Sequence, residues 1–108
     1  MNFAYLKIEI FIPESHLSLL EEALRSVDAG HIGQYDSCLC YAPVTGTWRP
    51  LSGTHPYLGQ EGTVSRAQEL KVEVTIRKED WEKTKAAIKK VHPYEEPVIN
   101  AIPLYGTG

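Results

Sequence analysis

The chain has 108 residues, of which 43% are hydrophobic and 23% are charged, and its 11 Lys and Arg residues against 14 Asp and Glu residues give a formal net charge of −3. This composition is typical of one soluble globular domain and excludes general disorder, while the net negative charge argues against nucleic-acid binding. The sequence has no apolar run long enough to cross a membrane and does not start like a signal peptide. We therefore expect a single domain over residues 1–108, a cytoplasmic location, and no membrane or nucleic-acid partner.

The first half of the chain predicts a strand, a helix and a second strand. Residues 8–12 carry a β-branched side chain at every second position, as a half-buried strand does. The next apolar residues are spaced as one stripe of an α-helix. That stripe consists of Leu17, Leu20, Leu24 and Val27. Glu14 supplies negative charge at the helix N-terminus, and Gly30 ends the helix with a residue that can adopt a left-handed conformation. A strand-like run follows at residues 35–41.

The second half repeats this pattern at an offset of 64 residues, without a gap. Residues 72–76 match the first strand, and a second apolar stripe has the same helical spacing. That stripe consists of Trp81, Thr84, Ile88 and Val91. Pro93 ends the second helix because it disfavours helical geometry at the residue before it, and residues 98–104 form another strand-like run. Two βαβ units predict an α+β protein, a ferredoxin-like βαβ-βαβ sandwich whose antiparallel sheet carries two helices on one face.

Residues 45–66 form a connection that is long for this fold. It holds four of the eight glycines together with Trp48, Arg49 and Tyr57. A connection of this length is typical of a functional loop or of one with short strands of its own. One interpretation is that residues 47–49 pair with residues 38–41 and add a fifth strand to the sheet.

A stiff, proline-flanked segment at residues 92–97 projects an imidazole and two carboxylates. His92, Glu95 and Glu96 are ligand types that suit a divalent cation such as zinc or manganese. The alternative is structural: His92 would interact with the C-terminal end of the second helix, Tyr94 would be packed, and the carboxylates would be solvated or paired. The one cofactor that the sequence suggests is therefore a divalent metal ion.

The segment 45–50 combines a glycine, hydroxyl groups and an arginine, which suits a small anionic ligand held by main-chain N–H groups and Arg49. No Lys-Ser/Thr pair follows and Pro50 prevents an immediate helix, so a P-loop is excluded. The alternative is a hairpin in which Gly46 supplies the turn and Trp48 packs or meets a partner. The predicted ligand-binding residues are Trp48, Arg49, His55 and Tyr94.

Neither the cysteines nor any motif of the sequence predicts a catalytic nucleophile. A disulfide between Cys38 and Cys40 would be strained, so we expect free thiols, either as small buried hydrophobic groups or as soft metal ligands. The sequence contains no nucleophile elbow, no H-E-x-x-H motif and no dinucleotide-binding fingerprint. We therefore predict no catalytic residue, and we favour a protein that is not an enzyme.

Several stretches are similar to known families. Residues 92–97 and 99–104 resemble the C-terminal signature of CutA-type divalent-cation-tolerance proteins. Nearly the whole chain resembles the insert domain of the Nif3-like (YqfO-type) family, through residues 12–14, 30–35, 46–50 and the closing His-Pro-Tyr-Glu-Glu-Pro. The resemblance implies a CutA/PII-like fold and an assembly, most often a trimer, in which strands of neighbouring subunits pair. It covers the insert only, so none of the metal ligands on the flanking lobes of that family is carried over.

These observations favour a homotrimeric binding or regulatory domain, with residues 45–66 and 92–97 at clefts between subunits. Arg49 would contact a small anionic ligand, and His92, Glu95 and Glu96 would contact a metal ion. A different class of function remains open, namely a metal-dependent enzyme or metal-homeostasis protein. A third alternative is a subunit that docks onto a partner carrying the lobes of the Nif3-like family.

Overall fold

The computed structural model describes residues 2–108 and contains four antiparallel strands and two α-helices. The strands are β1 (Tyr5–Ile12), β2 (Cys40–Trp48), β3 (Ser65–Arg77) and β4 (Ile99–Leu104). The helices are α1 (Leu17–Ser26) and α2 (Trp81–Val91), each preceded by one short 3-10 turn, Glu14–His16 and Lys78–Asp80. The sheet order is β2-β3-β1-β4, which is the order of the ferredoxin-like fold, so the predicted fold class is confirmed.

The core lies between the two helices and one face of the sheet. Alternate residues of β1 and β3 point into it, because side chains alternate between the faces of a strand. Its most deeply buried residues are Ile8, Ile10, Ile12, Leu20, Leu24, Val72 and Ile88. The remaining apolar residues of the two predicted helical stripes pack against this cluster, so both amphipathic helices are confirmed.

Gly30 lies four residues beyond the end of α1 at Ser26, so it does not end the helix as the sequence predicts. Its φ of +80° is left-handed, a conformation that costs glycine little and other residues more. The N–H of Gly30 donates to the Thr75 carbonyl at 3.1 Å, and its own carbonyl accepts from the Cys38 N–H at 2.9 Å. This residue therefore ties the chain leaving α1 to the centre of the sheet.

The second strand differs from the prediction. It begins at Cys40 rather than at residue 35 and continues to Trp48, because residues 32–35 form a tight turn closed by two hydrogen bonds between Ile32 and Tyr35. Residues 47 and 48 belong to this same strand and pair with β3, so they cannot pair with residues 38–41. The prediction of a fifth strand is wrong, and the sheet of the described residues has four.

Gly46 is not a turn residue either. It lies inside β2 opposite Ala67, and the connection to β3 is residues 49–64 rather than 45–66. Both cysteines are free thiols: Cys38 is partly buried, and Cys40 is exposed with its thiol 3.7 Å from a Glu73 carboxylate oxygen. Within residues 2–108, no helix is long and apolar enough to span a membrane.

Candidate functional site

A cleft of about 550 Å³ opens where β2 ends, between the 49–64 connection and the segment that follows α2. It is formed within one chain. Its walls are residues 46–51, 54, 56–58 and 94–96, together with Phe11, Glu69 and Val98. The two segments that the sequence singles out separately therefore meet on one cavity.

Aromatic side chains form much of the cleft. The centroid of the Tyr94 ring lies 6.2 Å from that of Trp48 and 5.9 Å from that of Tyr57. The indole Nε1 of Trp48 donates to the main-chain carbonyl of Leu58 at 3.0 Å. This hydrogen bond fixes the connection against the end of β2, so the aromatic wall is held by the strand as well as by ring contacts.

A buried glutamate is among the residues that line the cleft. Glu69 of β3 is only 8% exposed, and its carboxylate occupies the space that a side chain at Gly46 would need. Burial raises the pKa of the Tyr94 phenol above its usual range, and the Glu69 carboxylate, which accepts a hydrogen bond from the protonated phenol, raises it further. Because Gly46 has no side chain, the carboxylate of Glu69 can occupy the space beside it and reach Tyr94.

The connection and the segment after α2 are also joined by a polar contact. The main-chain N–H of His55 donates to Glu95 Oε2 at 3.0 Å. Inside the connection, the N–H of Gly62 donates to the carbonyl of Pro50 at 2.7 Å. Because these bonds use main-chain donors, the walls of the cleft are positioned by backbone geometry and not only by side-chain packing.

His92 does not line the cleft but contacts the main chain of two residues that do, Phe11 and Tyr94. Its Nε2 lies 2.6 Å from the Phe11 carbonyl, which can only accept, so Nε2 carries the proton and Nδ1 accepts from the Tyr94 N–H at 3.2 Å. Burial lowers the pKa of His92, and the hydrogen bond to Phe11 partly opposes that shift. The neutral ring therefore has both nitrogens engaged with main chain and holds the start of the segment that carries Tyr94.

The structure brings together most, but not all, of the predicted site residues. Trp48, Arg49 and Tyr94 line the cleft, as do Glu95 and Glu96. His55 contributes its main-chain N–H and does not line the cavity, and His92 lies behind Tyr94.

The predicted metal ligands do not form a group in this arrangement of the described residues. In residues 2–108, no group of three or more His, Cys, Asp or Glu side chains is arranged to hold a metal. Both nitrogens of His92 have main-chain partners, and Glu95 accepts a hydrogen bond from the connection. Metal binding by His92, Glu95 and Glu96 would require these contacts to break.

Glu69 is a cleft residue that the sequence does not single out, whereas Gly46 and Tyr57 lie in segments that it does single out but are not among its predicted ligand-binding residues. The one available signal was Gly46, since a glycine inside a strand often marks a place where another group approaches closely. Glu69 carries no such signal, because its burial results from contact with Tyr94, which is distant in the sequence.

Comparison with known proteins places the chain in a family. Residues 53–107 match the family model described as the CutA1 divalent ion tolerance protein, and this match covers half of the chain. The chain belongs to the CutA1 family. Curated relatives include proteins named GTP cyclohydrolase 1 type 2 homolog from Halalkalibacterium halodurans, 39% identical over 102 residues, and from Bacillus subtilis, 30% identical over 101 residues. Each alignment covers 94% of this chain but 27% of the relative, so the chain spans about a quarter of the length of these proteins.

Solved structures agree with the family and with the predicted resemblance. A Bacillus cereus protein related to NIF3 matches with a TM-score of 0.84 and 31% identity, covering 98% of this CutA1-family chain and 27% of the other. The periplasmic divalent cation tolerance protein CutA from Archaeoglobus fulgidus matches with a TM-score of 0.71 and 21% identity, covering 95% and 86%. The PII-like protein CutA from Nostoc gives a TM-score of 0.68 at 18% identity, covering 93% and 81%. At these identities, the two CutA structures support the CutA/PII-like fold alone.

Proposed function

We propose that this CutA1-family chain is a homo-oligomeric binding or regulatory domain whose cleft takes a small molecule. The observation that carries the proposal is the convergence of the 49–64 connection and residues 94–96 on one cavity. Its volume of about 550 Å³ lies within the range of small-molecule sites, which are mostly apolar with a few polar groups. Trp48, Tyr57 and Tyr94 supply the apolar walls, and Glu69 supplies a buried polar group.

A fluorescence screen tests this proposal, because the chain has two tryptophans and only Trp48 lines the cleft. In a Trp81→Phe background, a small-molecule library is screened for compounds that change the Trp48 emission. We expect at least one compound to bind saturably and to lose binding in Tyr94→Ala. Tyr105→Ala is the matched control, since Tyr105 is 89% exposed and lies outside the cleft. A library with no saturable hit, or hits that persist in Tyr94→Ala, would overturn the proposal.

The proposed oligomer is a homotrimer. The sheet order leaves one side of β2 and one side of β4 as edges, and exposed strand edges in proteins are usually paired or protected. Tyr41 on β2 is 52% exposed, and within residues 2–108 both helices pack on the face of the sheet opposite the one that carries Lys7 and Lys71. Pairing of neighbouring subunits along these edges would bury that surface. Size-exclusion chromatography with light scattering tests the trimer, and a clean monomer at micromolar concentration would overturn it.

Divalent-metal binding is a second candidate, favoured by the description of the matched family as divalent ion tolerance proteins. It would use His92, Glu95 and Glu96 and would require His92 to release its main-chain partners. This candidate predicts stoichiometric metal in the purified protein that is lost in His92→Ala. Elemental analysis without metal, together with no thermal shift on adding zinc, copper or manganese, would remove it.

A further inference from the structure

We propose that the cleft selects an organic cation, an ammonium group on an aryl or alkyl skeleton. This inference rests on the proposed small-molecule function and names the chemistry of its ligand. The cleft is lined by three acidic side chains, Glu69, Glu95 and Glu96, and by one basic side chain, Arg49. Negative groups therefore outnumber positive ones, and the only deeply buried charged side chain among them is the carboxylate of Glu69.

The position of the charges matters as much as their number. Arg49 is exposed, whereas Glu69, which lines the same cavity, is only 8% exposed. Lys89 lines a second cavity of about 270 Å³ together with Glu95 and Glu96, and it does not line the cleft. A ligand that enters fully thus meets a carboxylate, and an anion would have to approach that carboxylate without a buried positive partner.

The aromatic rings favour a cation for a separate reason. The faces of Trp48, Tyr57 and Tyr94 carry negative charge density, and an ammonium group placed over such faces is attracted to them. An organic cation also brings apolar surface that these rings can bury, which a hydrated metal ion does not. Carboxylate and rings together therefore match an ammonium group attached to an apolar body.

Three small compounds of one shape test the inference: 2-phenylethylammonium, its neutral counterpart 2-phenylethanol, and the anion 3-phenylpropanoate. Each is titrated into the Trp81→Phe protein, and Trp48 emission is recorded. We expect the ammonium compound to bind about tenfold tighter than the alcohol, because it is attracted both by the Glu69 carboxylate and by the ring faces, and we expect the anion to bind weakest.

Charge-neutral variants identify the source of the preference. Glu69→Gln removes the buried charge and keeps the aromatic rings, so we expect it to reduce the preference for the ammonium compound over the alcohol, measured as the ratio of the two affinities in the same variant. Glu96→Gln, an exposed position, provides a second variant should the buried substitution disturb folding, and it should reduce the preference by a smaller factor. Glu61→Gln is the control, because this exposed residue of the connection does not line the cleft.

The outcomes separate this inference from the proposed function. Equal affinity for the ammonium compound and the alcohol, or tightest binding of the anion, would overturn the preference for an organic cation. Neither result would contradict the proposal that the cleft binds a small molecule. Tightest binding of the anion would agree with the contact at Arg49 expected from the sequence. No binding of any of the three compounds also overturns the cation, whereas the proposed function falls only if the library screen fails as well.

Discussion

Glu9 and Glu73 lie directly opposite each other in the central strand pair, β1 and β3. They are equivalent residues of the repeated unit, because 64 positions separate them, so the two copies of the repeat pair about an axis that passes between these residues. Lys7 and Lys71 are related in the same way. The Nζ of Lys7 lies 2.9 Å from Glu73, and the Nζ of Lys71 lies 3.2 Å from Glu9. The repeat therefore produces two crossed ion pairs that compensate for like charges in opposed positions.

This symmetry predicts that Lys7→Met and Lys71→Met lower the urea midpoint at neutral pH by similar amounts. The double variant should lower the urea midpoint by more than the sum of the two single decreases, because both opposed carboxylates then lack a cation. Lys7 lowers the pKa of Glu73 below its usual 4.5, so the stabilisation from the Lys7–Glu73 pair is present above pH 4.5 and is lost as the pH falls through the lowered value. Urea unfolding at neutral and acid pH measures it, and unequal single effects would contradict the symmetry.

The elements that the sequence predicts correctly are those whose signal is local. In β1, α1 and α2, the apolar period alone determines which side chains face the core. The strand β2 lacks that signal because it is an edge strand with most of its side chains exposed, and it even tolerates Pro43. The strand therefore begins at Cys40, later in the chain than the sequence predicts.

The candidate site is predicted only in part, for a related reason. Trp48, Arg49 and Tyr94 stand out by residue type in unusual segments, so sequence reasoning finds them. Glu69 becomes part of the site through a strand register and a distant tyrosine, which no local pattern encodes. The same holds for His92: its residue type predicts a metal ligand or a helix terminus, whereas its hydrogen bond to Phe11 depends on the packing of α2 beside β1.

Thr84 is fully buried in α2, and its hydroxyl has no hydrogen-bond partner among the described residues. Its equivalent in the first repeat is Leu20, which is apolar. Thr84→Val keeps the shape and removes the unsatisfied hydroxyl, so we expect it to raise the free energy of unfolding by about 1 kcal/mol. Thr84→Ser is the control, because it keeps the hydroxyl and deletes a methyl group, and it should cost about 1 kcal/mol. A destabilised valine variant in urea unfolding would contradict this account.

Comparison of Gly30 with Gly33 distinguishes the cost of left-handed backbone from the cost of a steric clash when a side chain is added. Both have positive φ, +80° and +59°, but a Cβ at Gly30 would collide with the Cys38 carbonyl, whereas one at Gly33 would meet open space. Gly33→Ala should therefore cost about 1 kcal/mol, and Gly30→Ala should cost about 3 kcal/mol or more because the backbone must also move. Urea unfolding of the two variants measures the difference, and equal costs would rule out the contact with Cys38 as its cause.

Two histidines predict pH dependence on opposite sides of pH 6.5. Burial lowers the pKa of His92 in the folded chain, so as the pH falls below 6.5 the unfolded chain takes up a proton that the folded chain does not, and stability declines. Hydrogen bonding and charge from Asp28, 3.0 Å away, raise the pKa of His31. The stabilisation from His31 is therefore complete below pH 6.5 and is lost as the pH rises through its raised pKa.

Variants assign each slope to its residue. His92→Gln should cost about 1–3 kcal/mol at neutral pH, because the buried contacts with Phe11 and Tyr94 are lost or distorted, and it should abolish the decline just below pH 6.5. His31→Gln should leave that decline in place and remove the one above pH 6.5. His55→Ala is the control for both, since its contact with Glu95 uses the main chain and should survive. Urea unfolding across this pH range provides the measurement, and a decline below pH 6.5 that persists in His92→Gln would show that a different group titrates there.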